Sequence, residues 1–229
     1  MGDDAIFRNP IVGSLARWAY RCFVRRPAPF PGSNAYWDER YATGGNSGDG
    51  SYGRHAEFKA EVLNGFVAEH GVRTVVELGC GDGHQLSLAR YPSYLGIDVS
   101  PTAVSWCSAR FASDATKVFR LAADHAGEWA ELALSLDVIY HLVEDDVFRS
   151  YMRRLFDAAE RFVIIYSSNF DAAPEYHVRH RRFTSWIDAN EPSWRLVRHV
   201  PNRHPFLKER ATGSLAEFYI FERPAAAQS

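Results

Sequence analysis

The chemistry in this chain gathers on one short stretch, Glu77-Leu78-Gly79-Cys80-Gly81-Asp82-Gly83-His84. Glycines at alternate positions let a backbone turn sharply and come close to a ligand. The compact apolar residues Val75, Val76 and Leu78 lead into the turn as a buried strand would. Asp82 stands where a helix would begin near His84. A strand, a glycine turn and a helix start make a nucleotide-type site. The spacing narrows the ligand. A dinucleotide fingerprint needs G-x-G-x-x-G; here the third glycine falls one position early and His84 occupies the place of the last. Glu77 precedes the first glycine. A pyrophosphate would be repelled by that carboxylate, whereas a sulfonium and an amino group tolerate it. A second strand, Leu95-Gly96-Ile97-Asp98, ends in an acid 19 positions after Gly79. An acid there accepts hydrogen bonds from ribose hydroxyls.

E-x-G-x-G-x-G followed by a strand-ending Asp resembles the class I S-adenosylmethionine-dependent methyltransferases, over roughly residues 36 to 222. The resemblance implies a Rossmann-like α/β fold, with a seven-stranded, mostly parallel sheet, one antiparallel strand and helices on both faces. It implies that Glu77, Gly79, Cys80 and Gly81 hold the methionine part of S-adenosyl-L-methionine. Asp98 would hold the ribose, Val99 and Asp124 would border adenine, and Tyr140 would flank the cofactor at the end of the fourth strand. In the family that strand end borders the transferred methyl, which makes His141 the candidate general base. Methyl transfer from a sulfonium is an in-line displacement, and an alcohol is a poor nucleophile while it keeps its proton. A neutral imidazole can take that proton as the bond forms. Glu144 is the candidate to orient the ring. An acid pair beside a histidine is also a Mg²⁺ arrangement, but the spacing does not support a metal.

Further segments look like small methyltransferases of bacterial polysaccharide gene clusters, including those that methylate sugars in methylmannose polysaccharide synthesis. They are Tyr36-Trp37-x-x-Arg40-Tyr41, the run from Tyr140 to Asp145, and His177-Val178-Arg179-His180-Arg181-x-Phe183. In that family the first lies near the methionine end of the cofactor, which adds Trp37 and Tyr41 to the cofactor site. The basic and aromatic residues that interleave over 166–206 suit sugars or anionic acceptors. Tyr166, Asn169, His177, His180 and Arg181 are the candidate acceptor residues. The implied activity is O-methylation of a sugar or short oligosaccharide, a mannoside in the closest resemblance. A small aromatic or lipid-like alcohol is the alternative acceptor, favoured by an apolar pocket of Phe170, Phe183 and Trp186. A non-catalytic cofactor-binding module is the alternative of another class.

The elements that must position these groups follow from pattern. The 229 residues, 46% hydrophobic and 14% aromatic, suit one α/β domain with small additions. Residues 1–35 read as an N-terminal amphipathic helix and a proline-rich connector, and 36–229 as the methyltransferase domain. Within that domain, 36–55 reads as a glycine-rich lid and 167–206 as an acceptor-binding insertion. The apolar stripe of Ile11, Leu15, Trp18 and Phe23 reads as a packing face, against its own domain or against a second subunit of a homodimer. Its basic polar side also fits a membrane surface. Five glycines between 44 and 53 exclude a regular element there. Expected helices are 56–70, 84–90, 100–111 and 144–159. Expected strands are 74–78, 93–98, 117–121, 136–140, 161–166, 196–199 and 217–221. The net charge of -2 gives no pull toward nucleic acid. No apolar run approaches the roughly 18 residues of a membrane span. Three widely spaced cysteines fit a reduced, cytoplasmic protein and make no zinc pattern.

Overall fold

Strands in this chain are built from unbroken apolar runs, and the computed structural model shows what covers them on each side. It describes residues 29–210 and 212–224; the amphipathic stripe and Cys22 lie outside these. The elements below belong to one compact unit that begins at Gly32. In chain order they are α1 (Ser33–Ala42), α2 (Gly53–His70), β1 (Thr74–Leu78), β2 (Ser93–Asp98), α3 (Pro101–Arg110), β3 (Lys117–Leu121), β4 (Ala130–Leu136), α4 (Asp145–Asp157), β5 (Ala159–Ser167), α5 (Phe183–Asn190), β6 (Arg195–Val200) and β7 (Glu217–Glu222).

The seven strands form one sheet in the order β3-β2-β1-β4-β5-β7-β6. Neighbours from β3 to β5 pair in parallel, and β7 runs antiparallel to both β5 and β6. The expected architecture, seven strands with one antiparallel, is the one observed. The sheet is apolar on both faces because helices cover both. Val75, Leu132, Leu134, Phe162 and Ile164 pack on one side with Phe58, Leu63 and Phe66 of α2 and Cys107 of α3. Val76, Leu78, Ala133, Val163 and Ile165 pack on the other with Phe148, Met152 and Phe156 of α4 and Phe183 of α5. The chain order reverses between β2–β1 and β4, so the carboxyl ends of β1 and β4 open a crevice there.

Helix ends follow their local chemistry. Gly71 closes α2 in the left-handed conformation, φ 62°, its N–H donating to Val67 O. Ser100 caps α3 by accepting from Ala103 N, with Pro101 in the first turn. Two expected elements differ. The helix expected over 84–90 is only a short 3₁₀ turn, Gln85–Leu88. Asn64 ends it by donating to Leu88 O and accepting from Arg90 N, which takes the groups a longer helix would use. The fourth strand was expected at 136–140, yet β4 ends at Leu136. Asp137 then turns the chain with φ 59°, and 139–141 form a 3₁₀ turn. The Ala- and Leu-rich run before it carries little strand signal of its own; β1 and β5 on either side make it a strand. Among the described residues no helix is long and apolar enough to cross a membrane.

Candidate functional site

The turn after β1 leaves no room for side chains at two of its glycines. Gly79 sits at φ 88°, and a Cβ there would lie 2.5 Å from Val138 Cγ2. Gly81 sits at φ 59° against Ser47 Oγ and the Tyr41 hydroxyl. Neither position admits a side chain. Asp98, at the end of β2, accepts from Gly81 N at 2.9 Å and from Ser100 N at 3.0 Å. It thereby ties the loop to the adjacent strand end. Burial raises the Asp98 pKa, only partly offset by these amides.

Glu77 is 4% exposed and accepts from the Tyr94 hydroxyl at 2.6 Å. Burial pushes its carboxyl up to about 7, against the opposing pull of Tyr94 and Lys59. The glycine segment 43–52 is fastened to this loop rather than hanging free. Asp82 accepts from Ser47 N at 2.8 Å, Tyr52 Oη at 2.7 Å and His84 N at 2.9 Å. Burial would raise Asp82, but these bonds outweigh it and hold the group below the usual carboxylate range.

Helix α1 roofs the crevice. Ser33 donates to Glu144 through both N, at 2.9 Å, and Oγ, at 2.5 Å. Asp38 accepts from Ser100 Oγ at 2.9 Å, and Tyr41 shares a hydrogen bond with Ser47 at 3.0 Å. Trp37 and Tyr41 line two cavities that also share Gly79 and Val138. The larger, about 360 Å³, includes Ile97, Asp98, Val99, Ala122, Tyr151 and Arg154. The smaller, about 60 Å³, includes Lys59, Glu77, Cys80, Gly81, Gln85, Asp137 and His141.

His141 lies at the edge of this second cavity. Its Nδ1 is 3.0 Å from the backbone carbonyl of His177. A carbonyl only accepts, so Nδ1 carries the proton and Nε2 keeps its lone pair. Burial pushes the imidazole down to about 4, so the ring is neutral at physiological pH. Trp37 packs edge-on to it at 4.8 Å, and His177 stacks parallel at 5.4 Å with Tyr36 beyond.

Several expected roles move. Glu144 does not orient His141, because Ser33 takes up its carboxylate; the His177 carbonyl holds the ring instead. Asp124 is exposed on the turn after β3 and does not line the larger cavity; Ala122 does, and Arg154 donates to Ala122 O. Arg181 has both terminal nitrogens committed within the protein, and its Nε is buried with no partner among the described residues. Its guanidinium donates to Leu142 O, Val143 O and Asp145, and lies over the Phe148 ring. Arg179 likewise donates to Val143 O and pairs with Asp145. Tyr166 is fully buried, accepting from Asn202 Nδ2. Asn169 is bonded to Thr184 in α5. Tyr140 is half-buried and donates to Asp137 Oδ1 at 2.8 Å. His180 stacks on Phe170 and bonds Ser168 Oγ. Of the candidate acceptor residues, only His177 touches His141. Phe170, Phe183 and Trp186 do not form one pocket: Phe183 and Trp186 belong to the core around α4, and Phe170 is on the surface. Among the described residues no group of three His, Cys, Asp or Glu is placed to hold a metal ion.

Sequence reasoning missed Lys59, Asp137 and Gln85. Lys59 falls on the inward stripe of α2, one helical turn from Val62 and Leu63. A lysine at such a position was the available signal. Asp137 had none, since its turn depends on where β4 ends.

No protein-family model matches the sequence, and no curated protein matches it. Solved structures do. One is the N-methyltransferase NodS from Bradyrhizobium japonicum WM9 in complex with S-adenosyl-L-homocysteine, at TM-score 0.64 and 16% identity over 85% of this chain and 100% of that one. Magnesium protoporphyrin IX methyltransferase from Synechocystis PCC 6803, with the same molecule bound, matches at 0.58 and 14% identity over 93% and 100%. A DhpI-SAM-HEP complex matches at 0.55 and 17% identity over 83% and 95%. In architecture, then, this chain has the Rossmann-like fold of the S-adenosylmethionine-dependent methyltransferases.

Proposed function

We propose that this chain is an S-adenosylmethionine-dependent O-methyltransferase whose acceptor is a neutral hydroxyl compound, a sugar or short oligosaccharide such as a mannoside. The observation that carries the reading is His141: a neutral imidazole with one nitrogen tied to a carbonyl and the other free, beside an acid-flanked glycine loop.

The residues present fit the cofactor. The glycine cradle would be filled by any Cβ, and the acids Glu77 and Asp98 suit a cationic nucleoside with ribose hydroxyls. When bound, the cofactor supplies an electrophilic methyl on a sulfonium. Asp98 and Val99, which line the larger cavity, would hold the nucleoside, and Glu77 and Gly81, which line the smaller, would hold the methionine part. Trp37 and Tyr41, which line both cavities, would keep water from the bound cofactor. His141 Nε2 takes the acceptor's proton as the new C–O bond forms. A base of low pKa still serves here, because the hydroxyl becomes strongly acidic only as it is alkylated. With Arg179 and Arg181 spent on carbonyls and Asp145, the entrance offers aromatic and imidazole faces, which suits a neutral sugar over an anion. The free thiols Cys80 and Cys107 fit a reducing compartment such as the cytoplasm.

The test is calorimetry with S-adenosylhomocysteine against NAD, followed by methyl transfer onto short mannosides and glucosides with and without Mg²⁺. The reading expects the first ligand to bind, NAD not to, and a mannoside to be methylated. Binding of NAD alone overturns it.

A further inference from the structure

The smaller cavity contains a charge arrangement that core packing does not need. Lys59 is 1% exposed, and its Nζ lies 2.6 Å from Asp137 Oδ2 and 5.3 Å from the centre of the Tyr166 ring. Burying such a pair is often no better for stability than apolar residues of the same size. An ammonium has three N–H donors, and among the described residues Asp137 is its hydrogen-bond partner. Asp137 is itself held in an uncommon backbone state, being the non-glycine residue with positive φ among those described. Its other oxygen accepts from the Tyr140 hydroxyl. Gly50 lies directly on it: a Cβ at Gly50 would come within 2.8 Å of Asp137 Oδ2.

Gln85 lines the same cavity with 8% exposure. Its Nε2 donates to Ala56 O at 3.1 Å, while Oε1 is buried and has no partner among the described residues. An orphaned acceptor of this kind is costly to bury unless something donates to it. The cavity therefore presents a cation with spare donors, a neutral acceptor without a donor, and the Glu77 carboxylate. A group with an anionic end and a cationic end satisfies all three, and an α-amino acid zwitterion is such a group.

We infer that Lys59, Gln85 and Glu77 grip the amino-acid end of the cofactor, Lys59 on its carboxylate and Gln85 with Glu77 on its ammonium. Asp137 is a positioning residue that holds Lys59 in place. The site then selects an intact α-amino acid and discriminates against the same nucleoside without it. This rests on the cofactor assignment made above.

Calorimetry on the full chain tests it with three probes: S-adenosylhomocysteine, its decarboxylated analogue, and 5′-methylthioadenosine, which lacks the amino acid. The wild-type protein should prefer the first over the second by about 10- to 100-fold, the size of one charged hydrogen bond. Lys59→Met should remove that preference and leave 5′-methylthioadenosine binding within about twofold. Gln85→Leu should weaken both amino-bearing ligands alike. Should Lys59→Met fail to fold with Asp137 unpaired, the Lys59→Met/Asp137→Asn double variant removes the stranded charge, and the wild-type ratio decides the matter by itself. Binding of S-adenosylhomocysteine without preference over its decarboxylated analogue overturns this inference and spares the cofactor assignment. Failure of all three probes to bind overturns both.

Discussion

Glu77→Gln should stabilise the ligand-free protein at alkaline pH and do nothing for it in acid. The folded carboxyl is raised from its ordinary 4.5 to about 7, chiefly by burial. Between those values the native state holds a proton that the unfolded chain has lost. Stability therefore falls as pH rises through this window, and the loss is complete above about 7. The interval from 4.5 to about 7, at about 1.36 kcal/mol per tenfold change in acidity, is on the order of 3 kcal/mol. Glutamine is neutral and isosteric, and its carbonyl can still accept from Tyr94, so it carries no such penalty. In a domain of this size that difference is roughly 6–12 °C in Tm. The assay is thermal unfolding of both proteins from pH 4 to 8.5 without cofactor. The curves should meet below pH 4.5 and separate above 7, with the variant higher. The gain is offset in function, because the variant has no anion to set against the α-ammonium of S-adenosylhomocysteine and should bind it more weakly. A variant less stable than wild type at pH 8 would refute the reasoning, since a charged Glu77 would then be welcome in the empty site.

Asp98→Ala should weaken S-adenosylhomocysteine binding by roughly 1.5–3 kcal/mol, through loss of the proposed ribose contact and through release of Gly81 N; an unchanged dissociation constant removes it from the site. His141→Ala should lower turnover about 10²- to 10⁴-fold with cofactor affinity kept. Because burial pushes the ring down to about 4, wild-type turnover should be level from about pH 6 to 9 and fall only as acid protonates Nε2; a rise between pH 6 and 8 that vanishes in the variant would refute the lowered pKa while keeping His141 as the base. Glu144→Gln should loosen the grip on Ser33 and speed cofactor dissociation about tenfold in stopped flow; an unaltered off-rate would mean that α1 does not move for exchange.

Local sequence carried the sheet well where one strand names itself. Val75-Val76, Ser93–Asp98 and Lys117–Leu121 are short, apolar or alternating, and bounded by turn residues, and they lie where expected. It failed at β4, whose Ala, Glu and Leu residues favour a helix until two neighbouring strands bury them. That error displaced Asp137 from the turn to mid-strand and hid its pairing with Lys59. The glycine loop and Asp98 were legible because their chemistry is contiguous or one βα unit apart. The partner of His141 was not, because a backbone carbonyl 36 residues away holds it, and a carbonyl has no residue type. Arg181 misled for the opposite reason: its charge is conspicuous in sequence, but both terminal nitrogens go to Leu142 O, Val143 O and Asp145, and its Nε is buried.

The amides of Ser47, Gly81, His84 and Ser100 all donate to Asp82 or Asp98 within the protein itself. The loop is thus braced by its own hydrogen bonds, and a nucleoside bound there as proposed would find its berth already set. Little chain entropy is left to lose on docking, so affinity goes into contact rather than into ordering. Arrival should then be fast and show little heat-capacity change from local folding, leaving departure to be timed by the helix overhead.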